Sequence, residues 1–167
     1  MDFKQAIKKI KEFEEASLDK IWLKSTIDDK EWGYIVIDDT VHKIVGKSKS
    51  VRIPERFMMY KGVIFYHTHP HYPVAYLSSG DVGYLLYRVA ENDWDGMGVI
   101  AGCETRYWRI RKDIAAQLYA ERMELLRLWR MAYENNIASL TRHYRSKVAA
   151  NTRKARKYLI EYLVETY

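Results

Sequence analysis

Cysteine, long apolar runs and repeats are all scarce in this chain, and each shortage removes a class of protein. The single cysteine, Cys103, cannot form an internal disulfide or a cysteine-rich zinc site. No stretch reaches the roughly 18 apolar residues that a membrane-spanning helix needs. The lysine-rich residues 1–11 never open into the apolar core of a secretory signal. Neither an internal repeat nor a low-complexity linker is visible, so a solenoid or a string of tethered modules is not expected. These absences predict a soluble cytoplasmic protein without membrane contact.

What is present points to a packed fold. Of the 167 residues, 48% are hydrophobic and 30% charged, a balance suited to a globular core and not to disorder. The net charge of +6 is unevenly spread. Residues 1–104 carry 14 basic and 16 acidic side chains, whereas residues 105–167 carry 14 basic and 6 acidic. A tail this basic suits a solvated helix face equally well as contact with nucleic acid, an acidic protein or a lipid surface.

Phe3, Ala6, Ile7, Ile10 and Phe13 recur at helical spacing, and a second short helix is expected after Ser17. From Glu31 the texture turns to strands: residues 32–37 and 41–45 around an Asp38-Asp39-Thr40 turn, a further short strand at 51–53, and a buried one at 63–67. Pro70 and Pro73 enforce a loop, after which a helix over 78–90 and strands at 96–101 and 105–110 follow. Beyond Lys112 the pattern is helical almost to the end, broken at Asn135-Asn136. Ile137, Thr141, Tyr144, Val148, Asn151, Ala155, Tyr158 and Tyr162 mark a heptad-like seam, predicting a helical hairpin. The expected organisation is therefore a domain over 1–110 and a basic helical extension over 111–167.

The chemistry concentrates in Val63-Ile64-Phe65-Tyr66-His67-Thr68-His69-Pro70, followed after seven residues by Ser78-Ser79-Gly80-Asp81. Alternation along a strand sends His67 and His69 to the same face, a natural half of a zinc site. Asp81, one turn into the next helix, offers an oxygen ligand. Three protein ligands leave the fourth tetrahedral position open, as in a catalytic zinc centre. Ser78-x-x-Asp81 also reads as a capping box at a helix start, a role compatible with placement at a metal.

His67-x-His69-Pro70, seven residues, then Ser78-x-x-Asp81 resembles the signature of the JAMM (MPN+) metalloproteases, with the likeness extending over roughly residues 17–110. The resemblance implies an α/β fold, a mixed curved sheet flanked by helices in a cytidine-deaminase-like layout. It implies Zn²⁺ held by His67, His69 and Asp81, with Ser78 stabilising the tetrahedral intermediate. The general base is then a glutamate leading an upstream strand, here Glu31 in Glu31-Trp32-Gly33-Tyr34, where Tyr34 departs from the family's second glycine. Glu55 and Glu104 compete for that role on residue type alone.

The expected activity is hydrolysis of a peptide or isopeptide bond, with the tail of a ubiquitin-like or sulfur-carrier protein as the implied substrate. Tyr72 and Tyr76 are candidates for lining its groove. His71 reads as a rim residue, His42 and His143 as surface or packing, and Cys103 as a small buried apolar residue. The reading from another class is a non-catalytic scaffold of the same fold whose basic C-terminal helices contact nucleic acid.

Overall fold

The computed structural model describes residues 1–167. The chain forms five helices and one six-stranded mixed sheet, an α/β protein. It divides into two compact units. Unit 1 comprises residues 1–77, 92–109 and 160–167, and unit 2 comprises 78–91 and 110–159. No helix is long and apolar enough to cross a membrane.

Unit 1 opens with helix α1, Phe3–Glu14, started by a capping box in which Asp2 Oδ1 accepts the Gln5 N–H and the Gln5 side chain accepts the Asp2 N–H. Helix α2, Leu18–Asp28, follows with Ser17 at the N-cap position, although the Ser17 side chain makes no capping bond. The strands are β1 (Trp32–Ile37), β2 (Thr40–Val45), β3 (Ile64–Thr68), β4 (Gly96–Ile100), β5 (Glu104–Arg109) and β6 (Ile160–Thr166), in the sheet order β2-β1-β3-β4-β5-β6. Only β3 and β4 run parallel. Asp38 takes a left-handed φ of 54° in the tight β1–β2 turn, a conformation that short polar residues tolerate. Residues 51–53 form no strand; the stretch leads into a single 3-10 turn at Glu55–Phe57.

One face of the sheet buries the apolar stripes of α1 and α2. Phe3, Ile7, Ile10 and Ile21 meet Tyr34, Val36, Tyr66 and Tyr107 there. Phe3 stacks on Tyr107 at 4.7 Å, and the Tyr66 hydroxyl donates to the Phe3 carbonyl at 2.7 Å. Tyr66 lies over Gly98 so closely that a Cβ at that glycine would stand 2.3 Å from the ring.

The expectation of helix almost to the C-terminus is corrected in its last segment. Leu159 leaves helical geometry, with φ −69° and ψ 133°, and β6 pairs antiparallel with β5. Tyr162 therefore belongs to the sheet, 4.9 Å from the Phe3 ring, and not to a helical seam. β-Branched and aromatic side chains in Ile160-Glu161-Tyr162-Leu163-Val164 suit a half-buried strand better than a helix.

Unit 2 contains α3 (Ser79–Asn92) as far as Glu91, with α4 (Lys112–Glu134) and α5 (Ala138–Tyr158). Helix α4 ends where expected, with Asn136 at φ 56°, and α4 and α5 form the predicted antiparallel hairpin. Asn151, 1% exposed, sits at the seam of that hairpin. Its Nδ2 donates to the Leu118 carbonyl at 3.1 Å and to Glu121 Oε1 at 3.2 Å, while its Oδ1 accepts from Arg122 Nη1 at 3.3 Å. A buried amide satisfied at both ends selects one register of the two helices. Asn151→Leu should cost about 1–3 kcal/mol, because buried polar partners lose their bonds. A lower urea midpoint with unchanged far-ultraviolet circular dichroism is the expected result.

Candidate metal centre

Sheet register builds the site. In the antiparallel β1–β3 pair, Gly33 lies opposite His67 and Tyr34 opposite Tyr66. The Trp32 N–H donates to Thr68 Oγ1 at 2.9 Å, carrying the pairing past the last regular bridge. Continuing that register sets Glu31 across from His69. Residues directly opposite each other share a face, as do residues two apart, so Glu31, Gly33, His67 and His69 belong to one face.

The backbone at each donor is fixed. The Glu31 N–H donates to the Lys47 carbonyl at 2.7 Å, and the Glu31 carbonyl accepts from Gly46 at 2.8 Å. The His69 N–H donates to the Ile100 carbonyl at 3.1 Å, and the His69 carbonyl accepts from Trp22 Nε1 at 2.9 Å. Phe65, two residues before His67, stacks on its ring at 5.3 Å.

The donor atoms of Glu31, His67 and His69 all lie within 4.8 Å of one another, and all three residues are buried. The two Nε2 atoms are 2.9 Å apart. Two nitrogens held at about 2.0–2.1 Å by a tetrahedral ion would be roughly 3.3 Å apart, so the imidazoles need move only a few tenths of an ångström. Two imidazoles and a carboxylate form a borderline-to-hard donor set that suits zinc and related divalent ions.

Tyr34, next to Gly33, points to the opposite face. It is fully buried among the α1 and α2 side chains, and its hydroxyl donates to Glu14 Oε1 at 2.7 Å. Burial, then the Glu14 carboxylate, push its pKa far up. A larger residue there leaves the site face unaltered. Gly33 is the glycine that matters, since a Cβ would stand 3.0 Å from Val51 Cγ2 and 3.1 Å from Phe65 Cε2.

Glu104 is engaged elsewhere. Arg106 Nε donates to its Oε2 at 2.6 Å and Nη2 to its Oε1 at 3.1 Å, while the Ala75 N–H adds a third bond at 3.1 Å. The Arg106 bonds hold its carboxyl below the usual carboxylate range. Glu55 is exposed in its 3-10 turn. His71, at φ 72°, turns its Nε2 to Asp29 Oδ1 at 2.7 Å. His42 packs against Phe57, and His143 is exposed beside Tyr144.

Tyr72 and Tyr76 are exposed and bracket His69, with ring centroids at 6.5 Å and 5.2 Å. The expectation of a buried Cys103 is corrected: the side chain is exposed. Its backbone is tied, however, its N–H donating to the Pro73 carbonyl and its carbonyl accepting from Tyr167.

Ser78 and Asp81 stand at the start of α3, in unit 2. The Ser78 N–H donates to Asp81 Oδ2 at 3.0 Å and the Asp81 N–H donates to Ser78 Oγ at 3.1 Å, a reciprocal capping box. The capping reading of this pair is therefore correct as far as local geometry goes. Because Ser78 Oγ accepts in the cap, its own O–H proton remains to be donated elsewhere.

No family model matches the chain, and comparisons with curated proteins and with solved structures returned no match.

Substitutions on the two faces of β1 should separate. Gly33→Val overpacks the site face and should cost about 1–3 kcal/mol. Tyr34→Phe removes one hydroxyl bond on the far face, worth about 1 kcal/mol, and should leave divalent-metal uptake unchanged. Denaturant unfolding and cobalt absorption spectra of both variants check this, and impaired cobalt uptake by Tyr34→Phe would contradict it.

Proposed function

We propose that the protein is a zinc-dependent peptidase or isopeptidase of the JAMM type, with His67, His69 and Asp81 as ligands and Glu31 and Ser78 as catalytic residues. The observation that carries this reading is the convergence of Glu31, just before β1, with His67 and His69, in and just after β3, on one buried cluster. The donor chemistry fits a divalent ion, and the spacing to Ser78 and Asp81 matches the family signature.

A bound zinc ion would supply Lewis-acid polarisation of the scissile carbonyl and a lowered pKa for water. The chain's own residues do the rest. The Glu31 carboxylate lies within one-water reach of the imidazole nitrogens, the distance at which it accepts a proton from attacking water. That water adds to the carbonyl carbon while the Ser78 hydroxyl donates a hydrogen bond to the oxygen gathering charge. Glu31 then delivers its proton to the leaving nitrogen as the C–N bond breaks. The sequence of steps uses no covalent enzyme intermediate, so Cys103 has no part in it. Tyr72 and Tyr76, exposed beside His69, are the natural side walls for an extended tail, as of a ubiquitin-like or sulfur-carrier substrate.

One equivalent of zinc per chain should be found by elemental analysis, and it should be lost in His67→Ala and His69→Ala. Glu31→Gln should keep the metal and lose most turnover of an isopeptide-linked substrate, whereas Ser78→Ala should keep the metal and slow turnover about 10²-fold. Loss of zinc in Glu31→Gln would make Glu31 a ligand and not the base.

A second reading, a scaffold of this fold that contacts nucleic acid, is favoured by α5 alone. That helix carries Arg142, Arg145, Lys147, Arg153, Lys154, Arg156 and Lys157 and no acidic residue, and all seven are exposed. Single-stranded or duplex nucleic acid should then bind with an affinity that falls steeply with salt, and Arg142→Glu with Arg153→Glu should abolish it. Absence of binding at low salt returns α5 to a solvated helix face.

A further inference from the structure

We propose that unit 2 carries a binding site for an aromatic carboxylate, in the groove between α3 and α4, with Arg122 as the group that receives the carboxylate. The groove has a volume of about 500 Å³ and is lined by Gly83, Tyr84, Tyr87, Tyr119, Arg122 and Leu126, among others. That volume lies within the usual range for small-molecule sites.

Arg122 is half-buried and has no acidic partner. Its Nη1 donates to two neutral oxygens, Thr152 Oγ1 at 2.8 Å and Asn151 Oδ1 at 3.3 Å. The adjacent acid, Glu121, is turned away: Oε1 accepts from Asn151 Nδ2, and Oε2 lies 3.9 Å from Lys154 Nζ. Taking a guanidinium partly out of water without a counter-charge is unfavourable. Burial accordingly pushes the Arg122 pKa down, with no neighbouring carboxylate to offset it.

Nε and Nη2 face Gly83, where a Cβ would stand 2.8 Å and 3.0 Å from them. Only a glycine at that point of α3 admits the guanidinium in this position. The Nε–Nη2 edge makes no hydrogen bond to the protein, and it is the edge that pairs side-on with a carboxylate.

The wall beside Arg122 is aromatic. Tyr87 and Tyr119 stack at 5.3 Å with their planes within 10°, and the Arg88 guanidinium lies 4.3 Å from the Tyr87 ring and 4.9 Å from Tyr84. Leu126 adds apolar surface. A flat apolar body with one carboxylate complements both parts. A free aromatic acid and the C-terminal aromatic residue of a peptide share that chemistry.

The test is titration of the full-length ¹⁵N-labelled chain with N-acetyl-phenylalanine, 3-phenylpropionate and N-acetyl-phenylalanine amide. Saturable amide shifts centred on Gly83 and Tyr119 are expected with the carboxylates and not with the amide. Tighter binding of N-acetyl-phenylalanine than of 3-phenylpropionate identifies a peptide terminus as the source, and the reverse a free acid. Arg122→Gln should weaken binding about tenfold or more. Tyr119→Ala, which leaves the Arg122 bonds to Asn151 and Thr152 in place, should weaken it several-fold.

Equal shifts from the amide, no saturable shift from either carboxylate, or unchanged affinity in both folded variants overturns the proposal. The readout involves neither zinc nor turnover. Its failure would therefore leave the peptidase reading standing, and failure of that reading would leave this site standing.

Discussion

The antiparallel register of β1 on β3 is the constraint on which the rest of the centre depends. Pairing Gly33 with His67 brings Glu31 level with His69, and alternation puts all four positions on one face. A slip of one residue would send Tyr34 to the imidazoles and Glu31 to the helical layer. That slip is blocked from the opposite face, where Tyr34, Val36, Ile64 and Tyr66 are buried with α1 and α2. The helices thus help to hold the opposite face in place, because inverting any one of these strands would expose several large side chains at once. At about 25 cal/mol per Å² of apolar surface, burial of that set makes the alternative register costly.

Much of this was legible in the sequence because the signals were local. The β1–β2 turn, the strand that carries His67, the proline-bounded loop, the α3 start and the break after Glu134 all follow from spacings within about ten residues. Of the acids that competed with Glu31 on residue type, Glu104 is bound by Arg106 and Glu55 is exposed in its 3-10 turn, whereas Glu31 is buried beside His67 and His69. Tyr34, on the face opposite Gly33, shows how neighbouring strand positions can serve different layers. On a strand, a change at an even position is felt on one face and a change at an odd position on the other.

What was missed was non-local. Strand β6 pairs with β5 across about fifty residues of helix, and no local pattern announces such a partner. The heptad spacing that correctly marked α5 was carried about one turn too far, through Tyr162, because Tyr fits a helical seam and a strand equally. Cys103 was misplaced for a related reason. Its residue type favours burial, but its position in the β4–β5 turn puts the side chain outward while only the backbone is held. Arg122 gave no sequence signal at all, since its meaning comes from Gly83, thirty-nine residues earlier, and from the absence of a nearby acid.

In the proposed reading, the structural role of the Ser78–Asp81 pair and its catalytic one need not compete. A capping box spends one acceptor on each side chain: Ser78 Oγ takes the Asp81 N–H, and Asp81 Oδ2 takes the Ser78 N–H. The serine keeps its proton, and the carboxylate has a second oxygen that the cap does not use. The cap also fixes the rotamers of both side chains before any substrate arrives, so less entropy is lost on engaging a metal or a developing oxyanion. A pair that is already ordered for the sake of the helix is therefore better suited to chemistry than one that is not. For Ser78 in particular, the bond it accepts in the cap leaves its hydroxyl proton available, as the proposed oxyanion donation requires.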